Sequence, residues 1–156
     1  MPKKPKLLIA ISDGEHARIV RPGPSNVLRT ERVFNSTAAH ERSADLGSDR
    51  PGASFHSDAS AHHALAPRHD LHDLEKEKFS RFVAEQLNEM SGEEDFDALV
   101  LVAPANRLHV LRDALNTVTH AKISGILHKD LVKVPDGELW PHLREWVLPV
   151  LHLRQA

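Results

Sequence analysis

The chain opens on a short continuous apolar run, Leu7 to Ile11, closed by Ser12-Asp13-Gly14. A run of that length bounded by turn residues suits a strand buried on both faces. Ala17-Arg18-Ile19-Val20-Arg21 then alternates until Pro22-Gly23-Pro24, and Ser25-Asn26 adds a further turn signal. Val27 to Phe34 alternates loosely, as a half-exposed strand does. Three strands joined by short turns predict an antiparallel meander. From Leu71 the period lengthens, and Leu71, Leu74, Phe79, Phe82, Val83, Leu87 and Met90 share one helical stripe. Asp70 or Asp73 is placed to cap this helix, and Ser91-Gly92 to end it.

Asp97 to Ala103 is apolar and β-branched with Pro104 as a stop, which predicts a strand. Leu108, Leu111, Leu115 and Val118 predict a single helix after it. Lys122 to Leu127 reads as another strand, interrupted at Gly125. Leu139, Leu143, Trp146, Val147 and Val150 then recur at helical spacing behind Asp136 as a cap, and Pro149 predicts an end near Leu148. The order is β-β-β-loop-α-β-α-β-α. Its first half is antiparallel and its second is a parallel strand–helix–strand unit. An α/β class follows: one mixed sheet flanked by helices in a single domain over residues 1–156.

Between these halves, residues 35–70 form a polar loop with almost no apolar periodicity. Loops this long inside a compact domain are usually functional or disordered. His56, His62, His63, His69 and His72 cluster in and just beyond it. Their spacing lacks the i, i+4 pairs or paired turns of a zinc site, and no cysteine supports them. A pH response suits them better. Ser36 to Asp70 holds three arginines, five acids and five histidines, so its charge runs from -2 with neutral histidines to +3 with all protonated.

Composition narrows the function classes. With 156 residues, 40% hydrophobic and 27% charged, the chain is an ordinary globular length and balance. A formal net charge of -2 does not describe a dedicated polyanion binder. The absence of cysteine removes disulfides, thiolate metal sites and cysteine nucleophiles together. No apolar run approaches the ~20 residues of a membrane span, and Leu7 to Ile11 is too short for a signal-peptide core, so a cytoplasmic location is expected.

Catalytic constellations are sparse. Two-metal chemistry needs converging carboxylates, and only Asp13 and Asp130 stand at strand ends. No nucleophile elbow, P-loop or dinucleotide fingerprint is present. Aromatic residues make up 4% with no tyrosine, which leaves no base-stacking platform for RNA. Asp49-Arg50-Pro51-Gly52 has the Pro-Gly centre of a type II turn. Arg50 with Arg107 and Arg112, or with Lys129, would form a patch for phosphate or carboxylate groups, Arg107 lying near a helix start.

Several words occur in a familiar order: Ser48-Asp49-Arg50-Pro51-Gly52-Ala53-Ser54-Phe55, Pro67-Arg68-His69-Asp70 leading into Glu75-Lys76-Glu77-Lys78-Phe79, Leu99 to Pro104 with Leu111-Arg112, and Lys129-Asp130-Leu131. Together they resemble the bacterial host attachment proteins, the family of proteins required for attachment to host cells. The chain departs from that pattern at Ala53 and near Gly125. The resemblance implies a ribonuclease H-like mixed sheet with distant kinship to a domain of archaeal and eukaryotic peptide-chain release factors. With catalytic constellations sparse, the expected function is a non-enzymatic binding or regulatory protein of this family, acting in or upstream of attachment, with an unidentified protein partner. A ribosome- or RNA-associated factor is the alternative and a metal-dependent hydrolase the third reading. Asp49, Arg50, Arg68, Arg107, Arg112, Lys129 and Asp130 are the candidate binding residues. No catalytic residue, metal ligand or cofactor is assigned.

Overall fold

The computed structural model describes residues 5–37 and 68–152. Strands β1 (Leu7–Ser12), β2 (His16–Pro22), β3 (Leu28–Asn35), β4 (Ala98–Val102) and β5 (Ile123–Leu127) form one sheet in the order β3-β2-β1-β4-β5. β2 runs antiparallel to both β1 and β3, while β4 runs parallel to β1 and β5. The mixed sheet implied by the residue patterning is therefore present, with its antiparallel and parallel halves meeting at β1.

Central strands read as unbroken apolar runs because both sheet faces are covered. Leu8, Ala10, Leu99 and Leu101 point to one side, toward helices α1 (Arg68–Gly92) and α2 (Ala105–Asp113). Leu7, Ile9, Ile11, Val100 and Val102 point to the other, toward α4 (Trp140–His152). A short helix, α3 (Thr117–His120), packs against α1. Each of these fully buried Leu, Ile and Val side chains contributes about 1.5–3 kcal/mol of transfer free energy.

Several local expectations are corrected. The long helix begins at Arg68, so Asp70 and Asp73 lie inside it and do not cap it. Of its stripe, Phe79, Val83, Leu87 and Met90 are buried, whereas Leu71 and Leu74 in the first turns are exposed. The helix expected over Leu108 to Val118 is two helices: the Asn88 side chain on α1 bonds Ala114 O and Asn116 N, and Asn116 then caps Thr119 N to start α3. Val118 consequently faces solvent. The last helix continues through Pro149 to His152, since one proline removes a single backbone donor from a helix already begun.

At Gly125 the strand is continuous. β4 and β5 pair as Leu99↔Ile123 and Val100↔Gly125, so Ser124 is the extra residue of a bulge. Asp136, expected as a helix cap, instead receives Arg18. That arginine, on β2, crosses the α4-side layer and donates through Nη2 to Leu131 O at 2.7 Å and to Val134 O. Its Nη1 reaches Asp136 Oδ1 at 3.1 Å, while Thr30 N donates to Asp136 Oδ2 at 2.9 Å. One buried guanidinium thus ties the turn after β5 to the β2–β3 hairpin.

Candidate functional site

β1, β4 and β5 run parallel, so they end on one edge of the sheet, and three further chain ends meet them there. β3 ends at this edge, with Asn35 opposite His16 and Ser36 N bonded to Glu15 O at 2.8 Å. α1 starts here and α2 leaves from here. The described chain departs from this edge at Thr37 and re-enters it at Arg68.

Asp13 builds the tight β1–β2 connection. Its Oδ1 accepts from Glu15 N at 2.9 Å and His16 N at 2.8 Å, an Asx turn that commits the carboxylate to the backbone. Gly14 follows with φ of 102°, a left-handed conformation that a side chain resists. A Cβ there would lie 3.2 Å from Lys76 Cγ and 3.4 Å from Arg107 Cδ. Two cationic side chains, one from α1 and one from the first turn of α2, therefore lie directly on the turn. Arg107 is largely buried (side chain 11% exposed), and its Nη2 donates to Asp73 Oδ1 at 3.0 Å, tying α1 to α2. Ser12, at the end of β1, is 2% exposed, and its hydroxyl oxygen has no partner among the described residues.

The expected binding residues separate into three groups. Arg107, Lys129 and Asp130 come to this edge, the last two exposed just beyond β5, and Arg68 opens α1 at the same edge. Arg112 does not join them: five residues after Arg107, it is turned about 140° around α2 and lies about 7.5 Å further along it. It serves the last turn of α2, where a cation suits the negative end of the dipole. Asp49 and Arg50, like the histidine cluster from His56 to His63, lie outside the described residues. Ser12, Gly14, Asp73 and Lys76 were not singled out as site residues in the sequence, because only the packing of α1 across the sheet brings them together.

Asp130 stands across β4 from Asp13 on this edge. Among the described residues no group of three His, Cys, Asp or Glu side chains is arranged to hold a metal ion. Nor is any helix among them long and apolar enough to cross a membrane.

Fold and edge together define a mixed-sheet α/β protein with a turn-and-helix-terminus surface lined by Lys76 and Arg107. The chain belongs to the family described as "Protein required for attachment to host cells", whose model matches residues 8–143. No curated protein matches it. Among solved structures, an archaeal translation termination factor, aRF1, is similar with a TM-score of 0.48 at 10% identity. That likeness covers 96% of this chain and 41% of the termination factor, so the chain spans less than half of that protein.

Proposed function

We propose that this member of the attachment family is a non-enzymatic binding protein that acts inside the cell, in or upstream of attachment, through the carboxyl edge of its parallel strands. One observation carries the reading: two of the carboxylates at the turn, Asp13 and Asp73, are already bonded within the structure. Asp13 is turned back onto the N–H groups of Glu15 and His16, and Asp73 is paired with Arg107. What the edge offers a ligand is a set of donors and cations, together with the exposed pair Lys129 and Asp130. Such a surface suits recognition of a partner, and among the described residues no carboxylates converge on it to drive hydrolysis.

The test is complementation of a strain lacking this gene, scored by attachment to host cells. Wild type and Asp13→Asn, which keeps the turn acceptor but removes the charge, are expected to restore attachment. The exposed double variant Lys129→Ala/Asp130→Ala is expected to fold normally and fail. Restoration by the double variant would move the binding surface elsewhere, and a folded but inactive Asp13→Asn would favour chemistry at Asp13.

A further inference from the structure

We infer that the edge holds a dianionic phosphate group, free or on a small monoester, between the β1–β2 turn and the first turn of α2, with Ser12, Lys76 and Arg107 as side-chain donors. This rests on the edge being the ligand-binding surface, and it adds the chemical class of ligand.

Ser12 is the first reason. A hydroxyl buried without a partner loses its hydrogen bonds to water with nothing in return, a cost that alanine in its place would avoid. Strand alternation places Ser12 on the same face as Leu8 and Ala10, under the layer of α1 and α2, one position beyond the Ile11↔Val102 pair of β1 and β4. Its side chain therefore lies on the side of the sheet from which α2 departs.

The helix end is the second. α2 is nine residues long, its cap is Pro104 with no side-chain cap bond, and its first turn carries no acid. The N–H groups of Arg107 and Leu108 both go to Pro104 O. Those of Ala105 and Asn106, at the start of the helix, have no helical carbonyl to meet and add their dipoles to the positive end.

The cations are the third. Lys76 and Arg107 lie against Gly14, and a guanidinium carries five donors, more than the single bond from Nη2 to Asp73 uses. Of the carboxylates at the turn, Asp13 accepts from its own backbone, Asp73 is held by Arg107, and Glu15 is exposed to solvent. Donors thus come from three directions: a strand hydroxyl, side chains of two helices, and a helix terminus. A tetrahedral oxyanion meets all three, whereas a planar carboxylate has only two oxygens to offer.

The experiment is an amide-resolved NMR titration of the full chain at constant ionic strength. Inorganic phosphate and glycerol phosphate serve as dianions and dimethyl phosphate as a monoanionic diester. Saturable shifts of the Gly14, Ala105 and Asn106 amides are expected with the dianions and not with the diester. Phosphate against glycerol phosphate tells a free ion from a monoester. Ser12→Ala, which removes an unpartnered hydroxyl and so does not lower the Tm, and Lys76→Met, which keeps the stem on Gly14, are each expected to weaken binding by about tenfold or more. No saturable shift with either dianion, unchanged affinity in either variant, or equal binding of dimethyl phosphate would each overturn the inference. Attachment lost in the Lys129/Asp130 variant alongside such a result would leave the binding surface standing and remove only the phosphate.

Discussion

The ring of Trp146 lies so close to Gly125 that a Cβ on residue 125 would come within 2.6 Å of Trp146 Cε3. α4 can pack on β5 at this distance only because the bulged strand presents a bare backbone there. Gly125→Ala must push the indole or the helix away, and overpacking of this kind costs about 1–3 kcal/mol. A lower urea midpoint with an unchanged m-value, and partial rescue in the Gly125→Ala/Trp146→Leu double variant, are the expected results.

Arg18 and Asp136 set the acid limb of stability. Burial works to raise the Asp136 pKa, but the two hydrogen bonds from Thr30 and the charge of Arg18 outweigh it and hold the carboxyl below its ordinary value. A folded-state pKa below the unfolded one gives stability that is present above about pH 4 and lost as pH falls through the folded pKa. Desolvation lowers the Arg18 pKa despite the attraction of Asp136, yet the guanidinium stays charged throughout this range and adds no acid-limb slope. Asp136→Asn is therefore expected to flatten the stability curve below about pH 4. Thermal unfolding of both proteins between pH 2 and pH 7 checks it.

Removing Arg18 is expected to cost more than removing its charge partner. Arg18→Ala strands Asp136 and the carbonyls of Leu131 and Val134 together, and breaking a buried charged network costs about 3–5 kcal/mol, less here because Asp136 is partly exposed. Arg18→Lys should recover only part of this, since a single ammonium cannot span donors that diverge to two carbonyls and a carboxylate. Denaturant unfolding of the two variants gives the comparison.

How far these features could be read from sequence depends on how local their causes are. The runs Leu7–Ile11 and Leu99–Val102 announced central strands because burial on both faces leaves no polar position. The break between α2 and α3 was hidden, since it is made by Asn88 from another helix. Asp136 looked like a cap because an acid before an apolar stripe usually is one; its actual partner, Arg18, is far away in sequence. At the edge, Arg107 was visible through its helix position. Lys76 and Ser12 were not, because a lysine on a helix and a serine ending a strand are unremarkable until α1 is laid across β1. Arg112 was grouped with Arg107 by proximity in sequence, and helical rotation separates them.

The β2–β3 hairpin turns through Ser25 and Asn26, both at positive φ (59° and 62°), with Val27 N bonded to Pro24 O at 3.4 Å. Two consecutive left-handed residues are the signature of a type I′ turn, for which glycine is favoured at the second position. Asn26→Gly relieves a strained conformation and is expected to stabilise by about 0.5–1 kcal/mol. A higher urea midpoint measures it, and a fall would mean that the Asn26 side chain contributes more than its backbone costs.

Asp13 separates turn-making from charge. Its Oδ1 accepts two backbone N–H groups, and an asparagine oxygen accepts the same pair, so Asp13→Asn should stay within about 0.5 kcal/mol of wild type. Asp13→Ala removes the acceptor and leaves both N–H groups to water in a turn that also places Gly14 under Lys76 and Arg107, at a cost of about 1 kcal/mol. If the turn supports the edge, Asp13→Ala should weaken partner binding in proportion to its loss of stability while Asp13→Asn leaves both unchanged. Urea midpoints and attachment scores for the two variants, taken together, decide it: attachment lost in Asp13→Asn at full stability would show that the carboxylate charge itself is used.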